Sequence, residues 1–374
     1  MISPGAGPSP SLHTRQASPP RPSSAGPAWP RDAFRPAGAA GGLQPEGPLN
    51  PATASPGGVA SGQGGSPLAP PVLRPRANPG RSRELRLPPE TLYLEDLPPV
   101  QGDFPPPPPA LTRPVLLVHG FSQSAQSWWN LRNYLMENPQ NRFGATYHAD
   151  REDQFRQEVR RDPGARIFAI TFSDPHASYR QNARELARAI DIIRQETGAA
   201  EIDLVAHSMG GLACREYLDG PQDGVRRLIM AGTPNHGSLE ADLAQATDQL
   251  KLYHQYPPGA RQALQDLGID VTFLGRPNNP HLHELNERWP RQRAKAETTI
   301  IAGVGIPTPD LTLSLTSTGD GLVTAASAYL PDCEYLVADE DIYRRSGLTW
   351  KYNHGNLLCE PRVLQFIGQV LGRP

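Results

Sequence analysis

From Arg113 onward the chain alternates between short apolar runs and longer stretches with one apolar face. "PVLLVHG" (114–120) is an unbroken Val/Leu run ending at a glycine, the pattern of a strand buried on both faces. "SWWNLRNYLMEN" after it predicts a helix. "ARIFAITF" (165–172) predicts a second strand. Ser178, with Gln181 three residues on, has the form of a capping box opening a helix; Leu186, Ile190 and Ile193 make its apolar stripe and Gly198 its stop. "EIDLVAH" (201–207), "VRRLIMAGTP" (225–234), "TTIIAGVG" (298–305) and "CEYLVA" (333–338) predict four further strands. A short helix ending near Gly220 follows the third strand. A helix from Pro361, with Val363, Phe366, Ile367, Val370 and Leu371 on one face, closes the chain. Strands alternating with helices predict an α/β fold, a mostly parallel sheet with helices on both faces. In such sheets ligands bind beyond the carboxyl ends of the strands, so the residues just after each strand carry the interest.

One interval breaks the rhythm. Residues 235–297 are far longer than a crossover needs, and Leu239, Leu243, Leu250 and Tyr253 recur there at near-heptad spacing. This predicts a helical cap inserted over the sheet edge. Two readings stand side by side: a mobile lid on a lipid-accessible pocket, and a fixed cap that only packs.

Composition changes the picture at the amino-terminal end. Of the 43 prolines, 27 fall within residues 1–110, mixed with Gly, Ser and Ala. Such a segment cannot bury enough apolar surface to offset its ordering entropy, which predicts a disordered tail over 1–85. A proline-rich linker is expected over 86–110, with "PPPPP" (105–109) as a polyproline II spacer. The catalytic domain is expected over 111–374.

A net charge of −2 gives no pull toward nucleic acid. Three cysteines (Cys214, Cys333, Cys359) make no disulfide framework and read as reduced thiols. No apolar run reaches the ~18 residues that span a bilayer, so no transmembrane segment is expected. No secretory h-region is visible in the first thirty residues, which makes the cytoplasm the default location.

The candidate chemistry lies in "VAHSMGG" (205–211). It is a small-x-Ser-x-Gly match where a buried strand runs into a helix, the setting of a nucleophile elbow. The strained turn exposes the Ser208 hydroxyl, and the helix must cross close to the strand. The positions two before and two after the serine face that crossing, so they must be small. Gly210 satisfies this, and Ala206 adds one methyl. The competing reading makes Ser208 an ordinary helix N-cap.

An activated serine needs a base, and the base an orienting acid. "STGDGLVTAAS" places Asp320 after the fifth strand, and "WKYNHGNLL" places His354 before the last helix. The order Ser208, Asp320, His354 is that of the α/β-hydrolase triad. Asp310, Asp332, Asp339 and Asp341 are the competing acids. An oxyanion hole is expected from the amides of Met209, after the serine, and Phe121, in the loop shaped by His119 and Gly120. His207 is expected to pack beside the strand end and His236 to shape the rim. His281 and His283 form an isolated H-x-H without metal-ligand spacing. With no phosphate-cradling loop and no dinucleotide fingerprint, neither a metal nor another cofactor is implied.

Five segments, "PVLLVHGF", "VAHSMGG", "AGTPNHGS", "GDGLV" and "NHGNLL", occur in that order across about residues 111–372. In them the chain resembles the bacterial lipases and esterases of the α/β-hydrolase superfamily. Its A-H-S-M-G elbow is similar to that of small Bacillus-type lipases. The resemblance implies a lipase or carboxylesterase acting through Ser208, Asp320 and His354 and an acyl-enzyme. The implied substrate is a small ester or acylglycerol, met in solution or at a lipid–water interface. Acyl transfer or thioester cleavage on the same fold is the alternative.

Overall fold

Eleven strands form among the described residues: β1 (Leu92–Tyr93), β2 (Val115–Val118), β3 (Phe143–Arg151), β4 (Gln154–Gln157), β5 (Ile167–Thr171), β6 (Ile202–His207), β7 (Val225–Ala231), β8 (Glu297–Val304), β9 (Ile306–Pro309), β10 (Thr316–Gly319) and β11 (Glu334–Asp339). Nine of them make one sheet in the order β1-β11-β8-β7-β6-β2-β5-β3-β4, and β9 and β10 make a separate hairpin. Every pairing in the large sheet is parallel except β3 with β4. The computed structural model describes residues 91–94, 97, 106–151, 154–157, 162, 164–249, 260–271, 276–310, 316–339 and 352–374. All belong to the unit Ala69–Pro374. The tail expected over 1–85 lies outside the described residues, as do Leu250 and Tyr253 of the expected cap stripe.

The helices are α1 (Trp129–Met136), α2 (Tyr179–Thr197), α3 (Met209–Asp219), α4 (Leu239–Gln249), α5 (Ala260–Leu267), α6 (Pro280–Glu287), α7 (Trp289–Arg293), α8 (Ala325–Ala328) and α9 (Pro361–Leu371). Successive side chains of a strand point to opposite faces. In β2, Leu116 and Val118 therefore join a core with Leu186, Ile190 and Ile193 of α2. Val115 and Leu117 join the opposite core, with Leu131 of α1 and Val363, Ile367 and Val370 of α9. Ser178 caps α2 through Arg180 N, at 3.2 Å, and not through the Gln181 box that the sequence predicts. Gly198 ends the helix at φ 70°.

Four further features depart from the sequence reading. Strands β3 and β4 form an antiparallel edge that the apolar pattern did not announce, because "FGATYHADR" mixes glycine and polar residues with its buried Ala145 and Tyr147. The hairpin β9–β10 stands between β8 and Asp320, so the acid follows a hairpin strand and not the fifth sheet strand directly. Part of the expected linker adds β1, parallel to β11, with Leu94 fully buried. The proline run is packed too: Tyr134, Asn138 and Asn141 donate to the carbonyls of Pro106, Pro108 and Pro109 at 3.1, 3.0 and 2.9 Å. A segment without N–H groups keeps its acceptors, and side-chain donors use them here.

Candidate active site

Ser208 sits between β6 and α3 at φ 53°, ψ −131°, a backbone region that side-chain-bearing residues rarely occupy. Its hydroxyl makes no capping bond to α3. Instead Oγ lies 2.9 Å from Nε2 of His354. The small residues around it answer to contact distances. A methyl at Gly210 would stand 2.4 Å from the carbonyl oxygen of His119, and one at Gly120 2.8 Å from Cβ of Ser208. Ala206 is fully buried in β6, between Val118 and Met230 of the flanking strands. The crossing thus tolerates a methyl before the serine and excludes one after it.

Asp320 follows β10 in the tight turn "GDG". Its Oδ1 accepts from Leu322 N and Val323 N at 3.0 and 2.8 Å, which fixes the carboxyl group and leaves Oδ2 for Nδ1 of His354 at 2.8 Å. The Asp320 side chain is 1% exposed and that of His354 13%. The His354 N–H also donates to the Asp320 carbonyl at 2.9 Å, so the two loops are joined through backbone and side chain. Gly232, at φ 60° after β7, passes beside both groups; a methyl there would lie 3.1 Å from Asp320 Oδ2 and from His354 Nδ1. With its proton on Nδ1, the imidazole presents a lone pair at Nε2 to the Ser208 hydroxyl. Such an arrangement can draw the serine proton and sustain the positive charge that results. Of the competing acids, Asp332 is engaged by Arg293 at 3.7 Å, and Asp341 lies outside the described residues.

The loop after β2 comes to the same place. Phe121 is half-buried. Gly120 N donates to Gln123 Oε1 at 2.9 Å, and Ser122 N, at φ 57°, donates to the Pro175 carbonyl at 2.9 Å. His176 packs edge-on against the Phe121 ring and meets the Ser122 hydroxyl at 3.2 Å. Met209 opens α3, where first-turn N–H groups have no carbonyl within the helix, and its side chain is fully buried.

The partners of several neighbouring side chains, and the role of Arg215, carry no signal in the sequence. His119 is fully buried: its Nδ1 meets the Gly120 carbonyl at 2.8 Å and its Nε2 accepts from Phe172 N at 3.1 Å. Burial pulls its pKa down to about 4, only partly countered by the Gly120 carbonyl. His207 spans from Gln123 Oε1 to the His354 carbonyl, at 3.0 and 2.9 Å. His236 is paired with buried Asp270 at 2.8 Å. His281 accepts from Arg180 and His283 faces Glu287, so the H-x-H pair points to two different partners. The segment between β7 and β8 is held by Arg215 of α3. That guanidinium is fully buried and donates to Asn235 Oδ1, Asn286 Oδ1, Gln292 Oε1 and the Leu285 carbonyl. The motif arithmetic that found the serine carries no signal for these long-range partners.

The family model described as "alpha/beta hydrolase fold" matches residues 113–273. The match spans less than half of the chain. The matched stretch contains Phe121, Ser208 and Met209, and Asp320 and His354 lie beyond it. Among solved structures, the chain is similar to the mature form of lipase BlEst2 from Bacillus licheniformis, at 20% identity and a TM-score of 0.45, over 73% of this chain and 96% of that one. It is similar to the product of gene lin2722 from Listeria innocua, at 19% identity and a TM-score of 0.48, over 70% and 94%. The metagenomic carboxyl esterase MGS0156 matches at 18% identity and a TM-score of 0.41, over 74% and 81%. Among the described residues, no helix is long and apolar enough to cross a membrane.

Proposed function

We propose that the chain is a serine hydrolase of carboxylic esters, a lipase or carboxylesterase, with Ser208 as nucleophile, His354 as base and Asp320 as the orienting acid. The observation that carries this reading is the line of contacts from Ser208 Oγ to His354 Nε2 and from Nδ1 to Asp320 Oδ2, 2.9 and 2.8 Å, built on a strained serine that caps nothing. Strain of this kind costs about 1–3 kcal/mol and persists where the surroundings impose it.

In the proposed reaction the Ser208 oxygen attacks the ester carbonyl as its proton passes to His354 Nε2. Asp320 holds the ring in the tautomer that can accept and stabilises the imidazolium. Negative charge on the former carbonyl oxygen meets the N–H groups of Phe121 and Met209; one such donor is worth about 10²–10³ in turnover. The imidazolium then protonates the departing alcohol. Water, activated by the same ring, releases the acid from the acyl-enzyme and restores the Ser208 hydroxyl.

The test pairs a fluorophosphonate label with p-nitrophenyl esters from acetate to palmitate, with Ser208→Ala as control. Labelling and hydrolysis, both lost in Ser208→Ala while thermal unfolding stays within a few degrees, are the expected result. A peak at long chains assigns a lipase and a peak at short chains an esterase. Labelling without hydrolysis across the series moves acyl transfer or thioester cleavage to the front. Activity in Ser208→Ala near that of the parent overturns the assignment.

A further inference from the structure

His207 precedes the proposed nucleophile, and its ring bonds to residues far along the chain. It lies 1% exposed between two loops that are distant in sequence. On one side Nε2 stands 2.9 Å from the His354 carbonyl oxygen. A carbonyl only accepts, so Nε2 carries the proton. On the other side Nδ1 stands 3.0 Å from Gln123 Oε1, the same oxygen that receives Gly120 N–H at 2.9 Å. The ring further packs against that of His354, with centroids 4.6 Å apart. One imidazole thus touches the loop that delivers the base and the loop that flanks Phe121. Burial, and then the neighbouring His354, hold His207 well below the ordinary histidine pKa, which keeps it a neutral link at working pH.

A neutral ring has one N–H, and that proton is spent on His354. Nδ1 therefore offers a lone pair to Gln123, which serves it through the amide nitrogen or serves Gly120 through the amide oxygen. Gln123 therefore serves one of the two in each orientation of its amide, and a change at His207 alters what Gly120 N–H finds.

We propose that His207, with Gln123, is a positioning residue that ties the His354 loop and the Gly120–Gln123 loop to one ring, so that base and oxyanion-hole amide are set together. The proposal rests on the serine-hydrolase reading and goes beyond it. Misplacement of about 1 Å costs about 10²-fold in rate, so loss of the tie reads in kcat more than in folding.

The experiment uses the full chain and a p-nitrophenyl ester that the parent hydrolyses. Labelling of the parent by fluorophosphonate comes first; a parent that does not label sinks the serine-hydrolase reading, whatever His207 does. In a labelling parent, His207→Gln places an amide nitrogen where Nε2 was and retains the bond to His354, and His207→Asn places one near Nδ1 and retains the contact with Gln123. The expected result is a fall in kcat of about 10-fold for His207→Gln and about 100-fold for His207→Asn, with KM within about twofold. Gln123→Ala should slow the parent about 10-fold and cost nothing further in the His207→Gln background, because contacting residues are not additive. Thermal unfolding of each variant separates misplacement from misfolding. Full additivity of the two substitutions, or a kcat near the parent's in both His207 variants, overturns the proposal while leaving the serine-hydrolase reading intact.

Discussion

Two regions of the molecule are built on opposite terms. Around Ser208 the fit is steric and local: Gly120, Gly210 and Gly232 each lack a methyl because a named atom stands within 3.1 Å of where it would be. Between β7 and β8 the fit is polar and long-range. Arg215 reaches across to residues 235, 285, 286 and 292, and Asn279 Nδ2 reaches the carbonyls of Gln265, Asp266 and Gly268. The first kind of construction fixes residue types at short spacing. The second fixes them at spacings set only by the finished fold.

The sharpest way to break this contrast is at the acid. Asp320→Asn keeps the shape of the turn and replaces an acceptor with an amide that no longer holds the proton on His354 Nδ1. Turnover should fall by about 10⁴ with the fold intact, as measured by kcat beside thermal unfolding. A loss under tenfold, with Asp341→Asn doing the damage instead, moves the acid elsewhere. The second region is tested at Arg215. Arg215→Met leaves the buried Asn235 and Gln292 side-chain oxygens without this donor, at about 1–3 kcal/mol each. The Leu285 carbonyl keeps Gln292 Nε2 and Asn286 is only part-buried, so stability should fall by about 2 kcal/mol or more. None of those partners is a carboxylate, so the apolar replacement strands no buried anion. An unchanged unfolding midpoint would mean that the insertion is held by its apolar contacts alone.

The same contrast explains what was legible in the sequence. The strands that position Ser208 are apolar runs between helices, and the elbow, the "GDG" turn and the "NHG" loop each follow or precede such an element, so counting along the chain finds them. His207 was readable as a packed residue beside the strand, but nothing in the chain says that its ring reaches residues 84 and 147 positions away. The strands β1, β3 and β4, toward the two ends of the sheet, are hidden for a different reason: their residues are short of the apolar or alternating pattern and gain order from pairing with neighbours. The proline run read as a spacer because its composition is that of one. Its carbonyls are bound by donors on and just after α1, which composition does not record.

A smaller effect lies in the two buried histidines, His119 after β2 and His207 at the end of β6. His119 and His207 both have pKa values below the ordinary 6.5, that of His119 about 4. Above 6.5 each is neutral whether the chain is folded or not. Below it the unfolded chain takes up protons that the folded one refuses, so these two groups make stability fall as pH drops from 6.5 toward about 4. His119→Gln retains an acceptor for Phe172 N–H and does not titrate. The variant should lose its midpoint less steeply than the parent over that window, by the share of one proton, as followed by thermal unfolding at a series of pH values. Equal slopes would mean that His119 titrates normally in the folded chain.

The smallest effect expected is at Ala206, and it bears on how tight the elbow is. The alanine methyl is buried where β6 passes between β2 and β7, and the steric demand of the crossing falls on Gly210. Ala206→Gly gives the helix more room than it uses. It removes about 0.8 kcal/mol of buried methyl and adds about 0.5–1 kcal/mol of backbone freedom to the unfolded chain. Stability should therefore drop by about 1–2 kcal/mol while kcat stays within twofold. If kcat instead rises tenfold, the methyl is pressing on the turn that holds Ser208, and the elbow is set by strain at both of its small positions and not by the glycine alone.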